Sequence, residues 1–98
     1  MTTLRDQAHL RHSDYYKGIL IQATKLYLKG DQHAEEGLSL FDREWSNINA
    51  GQRWVAEHID KIEALAQSGF EYADAGSHIL SFRFAPRELI RWQEDALA

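Results

Sequence analysis

His9 and His12 stand three residues apart, close enough on a helix to share a metal ion. No third and fourth ligand follows at a spacing known for metal sites, so His12 is expected to pack beside Tyr15 and Tyr16, and neither a metal nor another cofactor is expected. Asp42 and Glu44 flank Arg43, but side chains two apart on a helix diverge, which points to surface or inter-helix ion pairs rather than to paired carboxylates for acid–base work. Glu57 and Lys61, four apart, are expected to pair in the same way. Arg83, Arg87 and Arg91 repeat every four residues and can present a basic strip to an acidic partner or a phosphate. Asp95, four residues beyond Arg91, favours an ordinary solvated face. No Ser-His-Asp set stands in a recognisable context.

Helices must position these groups. Between Gly37 and Ile59 the chain is densest in apolar residues, and Ala34, Leu38, Phe41, Trp45 and Ile48 recur at alternating steps of four and three, the spacing of one helix face. Ile48, Val55, Ile59 and Ile62 form a second stripe with Trp54 beside it. The weak helix formers Ser46, Asn47 and Asn49 favour a break between the two stripes, with a single kinked helix through Ser46-Asn47 as the alternative. Upstream, Leu4, Ala8, His12, Tyr15, Ile19, Ala23 and Leu26 predict a first helix over residues 3–28. Lys29-Gly30-Asp31 should end it, with a glycine able to take positive φ and an Asp to cap the next helix.

Helices over residues 32–45 and 48–58 then follow. A fourth carries Ile62, Leu65, Ala66, Phe70, Ala73 and Leu80, with Ser68-Gly69 as its weak point and Ala75-Gly76 allowing close helix contact. Arg83-Phe84-Ala85 reads as a turn, and Pro86 suits the first position of a last helix holding Leu89, Ile90, Gln93 and Leu97. The expectation is an all-α single domain over residues 1–98, built from antiparallel hairpins in a tetratricopeptide-like superhelix or bundle of four to five helices. Phe41, Trp45, Ile48, Val55, Ile62 and Leu80 are its expected core.

Composition narrows the partners. Eleven Lys and Arg against fifteen Asp and Glu leave a net charge of -4, which argues against a general binder of nucleic acid or membrane surfaces. The absence of cysteine excludes disulfides, thiolate metal sites and Cys catalysis, and makes the reducing cytoplasm the default compartment. The N-terminus lacks the apolar core of a signal peptide, and no apolar run nears the roughly 20 residues of a membrane span.

Four stretches carry a resemblance: Arg11-His12-x-x-Tyr15-Tyr16, Tyr27-x-x-Gly30, Leu40-Phe41-Asp42-Arg43-Glu44-Trp45-x-Asn47-Ile48-x-Ala50-Gly51-Gln52-x-Trp54, and Ala75-Gly76 through Pro86-Arg87-Glu88-x-Ile90-Arg91-Trp92-x-Glu94-x-Ala96-Leu97. Together they resemble the helical region between the nucleotide-binding module and the tetratricopeptide array of bacterial NB-ARC and related STAND-type signal-transduction ATPases. The resemblance implies a non-enzymatic adaptor that caps the repeats and couples a repeat sensor to a signalling or conflict ATPase. The chain has no Gly-x-x-x-x-Gly-Lys-Ser/Thr phosphate loop, so the ATPase itself would lie elsewhere. It ends where the family's repeats continue, which implies either an excised fragment or a stand-alone relative.

A second pattern belongs to another class. Arg53-x-x-x-x-His58 is similar to the Arg-x4-6-His motif of the all-α HEPN ribonucleases, which implies Arg53 holding a phosphate and His58 in acid–base chemistry. Several arginines and five histidines in so short a chain yield such a pair by chance, and the rest of the chain follows the first resemblance. In the last helix, Leu89, Ile90, Trp92, Ala96 and Leu97 spread too widely for one inward stripe. Trp92, Leu89, Arg87 and Arg91 are therefore the expected protein-binding residues. Self-association there, or cover by a partner or a following repeat, is the expected consequence.

Overall fold

Thr3 caps the first helix, α1 (Leu4–Lys29). Its hydroxyl accepts from the Asp6 N–H at 3.0 Å, and the Asp6 carboxylate accepts from the Thr3 N–H at 3.4 Å, so two of the four amides that a helix start leaves without a carbonyl are satisfied. Gly30 ends the helix as expected, at φ 79°, with its N–H donating to the Tyr27 carbonyl at 3.2 Å. The computed structural model describes residues 3–60, 62, 65–83 and 86–97. Beyond α1 it contains α2 (Asp31–His58), α3 (Leu65–Arg83) and α4 (Pro86–Leu97), with no strand among the described residues. The chain is all-α.

Asp31 does not cap α2. It is already the first helical residue, at φ 53°, and the N-cap position falls on Gly30, which has no side chain to accept a hydrogen bond. The carboxylate still lies in the first turn, where the helix dipole favours a negative charge.

The expected break in the middle of this segment is also overturned, since α2 runs unbroken for 28 residues. Ser46 and Asn47 face solvent, and Asn47 Nδ2 donates to Glu44 Oε2 at 3.4 Å. Poor helix propensity costs each of them about 0.5 kcal/mol. Burying Phe41, Ile48 and Val55, seven residues apart on one face, returns about 1.5–3 kcal/mol each. Burial wins, and the helix continues.

The first helix turns a different face inward from the one its apolar spacing predicts. Leu4 is 83% exposed and Tyr15 62% exposed, while Ser13, Leu20 and Thr24 are buried; of the expected stripe only Ala23 is buried, with His12, Ile19 and Leu26 half-buried. Two glycines of α2 set this rotation. A Cβ on Gly37 would lie 2.5 Å from the Ala23 carbonyl oxygen and 2.7 Å from the Tyr27 nitrogen, and one on Gly51 would lie 3.3 Å from Ser13 Cα. At both points the two backbones touch, and small residues of α1 must face the contact. Because Gly37 meets residues 23–27 and Gly51 meets residue 13, the two helices are antiparallel.

The second hairpin is built in the same way. Gly69 sits near Ala96 and Gly76 under the Trp92 ring, so α3 and α4 are antiparallel. Ser68-Gly69 is no weak point here, because both residues are buried at helix contacts. Lys17 reaches Ser68 at 3.4 Å and Glu71 at 3.1 Å, and Thr24 Oγ1 donates to the Ala75 carbonyl at 2.6 Å, so α3 runs alongside α1 in the same direction. It packs against both helices of the first hairpin. Of the expected core, Phe41, Ile48, Val55 and Leu80 are buried and Trp45 and Ile62 half-buried. Arg83, expected to begin a turn, is instead the last residue of α3, while Phe84 and Ala85 of that turn and Lys61 of the expected Glu57–Lys61 pair lie outside the described residues.

Tyr72 ties three helices together. Its hydroxyl, carried by α3, donates to the Ser13 carbonyl on α1, in a space that exists because Gly51 on α2 has no side chain. Burial, and secondarily the charge of Asp14, pushes the phenol well above its ordinary range. An unfolded tyrosine ionises near ~10, so above that pH the unfolded chain loses this proton first and stability falls as pH rises. Tyr72→Phe should cost about 0.5–1.5 kcal/mol near neutrality and should show a smaller alkaline loss than wild type. Urea midpoints for both proteins on either side of ~10 check this, and equal alkaline losses would remove Tyr72 from the effect.

Candidate functional site

Trp92 lies inside the protein. It is 1% exposed, its ring stacks on Trp45 at 6.0 Å and 13°, and Tyr72 meets it edge-on at 5.8 Å and 83°. Gly76 makes the seat, since a Cβ there would stand 3.2 Å from the indole. The expectation that Trp92 receives a partner is therefore corrected: it anchors α4 and cannot be reached in this fold. Its sequence neighbours hid this, because an apolar residue on a short helix looks the same whether it faces in or out.

Arg91 works beside it. Arg91 Nη1 donates to Asp95 Oδ2 at 3.1 Å and Nη2 to Asn49 Oδ1 at 3.3 Å, while Gln52 Nε2 donates to the same Asp95 oxygen at 2.9 Å. The i, i+4 pair expected from the sequence is thus present, as part of a polar latch between α2 and α4. Such a half-buried cluster orients the helix more than it stabilises it. Gln52 Oε1 and the Trp92 indole nitrogen are buried without a hydrogen-bond partner among the described residues. The side chains of Arg87 and Leu89, the other two expected binding residues, lie outside the described residues.

Among its described residues α4 exposes Gln93 and Glu94 and, beside them, apolar side chains. Leu97 is 87% exposed, Ile90 50% and, across on α3, Phe70 58%. Phe70, Ala73 and Asp74 of α3 face Gln93, Ala96 and Leu97 of α4 across an open groove of about 340 Å³. Rigid neighbouring helices hold both walls, with Gly69 and Gly76 allowing the close approach.

Arg53 and His58 take separate roles. Arg53 is exposed and lines a groove of about 660 Å³ between α1 and α2, together with His9, His12, Trp54 and Glu57. His58 does not line that groove. Its Nδ1–H donates to the Trp54 carbonyl one turn back at 2.8 Å, and its ring stacks on the Trp54 indole at 4.4 Å. Residues five apart on a helix point about 140° apart, and of this pair only Arg53 lines the groove. His9 stacks on the same indole at 5.5 Å and His12 meets Tyr16 at 4.8 Å. Among the described residues no three His, Cys, Asp or Glu gather as a metal site. Arg43 pairs with Glu44 at 3.6 Å, as the flanking charges suggested.

Sequence reasoning missed the residues that build these sites: Gly37, Gly51, Asn49, Gln52 and Tyr72. The spacing of Gly37 and Gly51, fourteen residues apart on one face of a long helix, was the available signal. A helix-interior glycine costs about 1 kcal/mol, which a close contact explains.

Two antiparallel helical hairpins make an all-α scaffold with an open groove between α3 and α4 along which Phe70 and Leu97 are exposed. Comparison with protein-family models, curated proteins and solved structures gives no match for this chain.

Proposed function

We propose that this chain is a non-enzymatic protein-interaction module of tetratricopeptide-like arrangement, whose α3–α4 groove receives one further helix. One observation carries the reading: α3 already lies on both helices of the α1–α2 hairpin, and the α3–α4 hairpin offers the equivalent groove with Phe70 and Leu97 exposed along it. A helix laid there would bury apolar surface at about 25 cal/mol per Å². The occupant is a following repeat, a partner chain or, at high concentration, a second copy. Such a module suits the adaptor role implied by the resemblance, capping or coupling a repeat sensor to a signalling ATPase. The cysteine-free chain suits a cytoplasmic setting.

Light scattering over a concentration series provides the test. The apparent mass of the isolated chain should rise with concentration, and the double variant Phe70→Glu, Leu97→Glu should stay monomeric, with an unchanged melt because both positions are exposed. A strict monomer at every concentration, the same for both proteins, would remove this groove as a docking surface.

A further inference from the structure

The groove between α1 and α2 gathers groups that the docking surface does not use. Arg53 is exposed and makes no ion pair among the described residues, and His9 and His12 make no hydrogen bond among them. All three reach the groove from rigid helix positions, over the half-buried indole of Trp54. The one carboxylate there, Glu57, stands one turn beyond Arg53 without pairing to it within salt-bridge distance among the described residues.

Arg53 decides what such a groove holds. A guanidinium beside two imidazoles repels a metal cation but supplies N–H donors in a fork that matches an oxyanion. The imidazoles add further N–H donors. Three donor side chains on two helices suit the three terminal oxygens of a phosphate monoester better than the two of a carboxylate. We infer that this groove binds a phosphate group, gripped by Arg53 with His9 and His12, and that Glu57 weakens the grip.

Inorganic phosphate and adenosine 5′-monophosphate, titrated separately into the folded chain near pH ~6, distinguish the two sources of that phosphate. The NMR signals to follow are the imidazole C–H resonances of His9 and His12 and the indole N–H of Trp54. Saturable shifts of both histidines are expected. Arg53→Gln should weaken binding about tenfold, the loss of one charge-assisted contact. Glu57→Gln should tighten it, which a merely structural role for these residues would not produce. If the nucleotide binds more tightly than phosphate and also moves the Trp54 signal, the ligand is a nucleotide. Equal affinities mean that phosphate alone is recognised. Shifts that never saturate, or that survive Arg53→Gln unchanged while thermal melts coincide, overturn the inference. Because the groove lies on α1 and α2, that failure would leave the α3–α4 docking surface untouched.

Discussion

Trp92→Ala should lower stability by about 3–5 kcal/mol and release α4 from the rest of the fold. The indole is 1% exposed and is held by Trp45, Tyr72 and the bare backbone of Gly76, three neighbours on two helices. Truncation leaves a cavity that Gly76 has no side chain to fill. Beyond Trp92, α4 is tied to α2 by the half-buried Arg91–Asp95 pair with Asn49 and the buried Gln52, and it packs on α3 where Ala96 meets Gly69. A small domain has about 5–15 kcal/mol in all, so the variant should sit near its folding threshold. Urea denaturation gives the size of the loss, and limited proteolysis of the variant should cut first within residues 86–97. A midpoint equal to that of wild type would return Trp92 to the surface and restore it as a docking residue.

One substitution at two glycines should act in opposite directions. Gly18 lies in the exposed interior of α1 with nothing within 4 Å of a Cβ, so Gly18→Ala should raise stability by about 0.5–1 kcal/mol through helix propensity alone. Gly37→Ala makes the same local gain. Its methyl group, however, would stand 2.5 Å from one backbone atom of α1 and 2.7 Å from another, and backbone cannot swing aside as a side chain can. Forcing the helices apart should give a net loss of about 1–3 kcal/mol. Thermal or urea melts of the two variants check the signs, and a Gly37→Ala protein as stable as Gly18→Ala would mean that the two helices do not touch there.

Local chemistry made most of the helix inventory legible. Thr3 and Asp6 act within one turn, Gly30 needs only its own φ, and Pro86 suits a first helical position whatever packs on it. The same locality misled at Ser46 and Asn47. Propensity described the cost at those residues and said nothing of the burial of Phe41, Ile48 and Val55 on the far side of the helix.

The candidate sites were less legible than the fold. Arg53 was visible as a cation suited to phosphate, but its histidine companions come from another helix, and the His58 suggested by spacing is bonded to its own backbone. Trp92, Arg91 and Leu97 look alike as members of one amphipathic helix. Contacts with Gly76, Asn49 and Gln52 decide which of them holds α4, and Leu97 is left outside.

By itself, then, the sequence determined an all-α chain, the stop of α1 at Gly30, the start of α4 at Pro86 and the apolar stripe through Phe41 and Ile48, because φ preference and periodicity act over a few residues. Only the tertiary structure decided the inward face of α1, the continuity of α2, the burial of Trp92 and the meeting of His9 and His12 with Arg53. Each of these depends on an approach between helices distant in sequence, where a missing Cβ at Gly37, Gly51 or Gly76 makes room that no periodicity reveals.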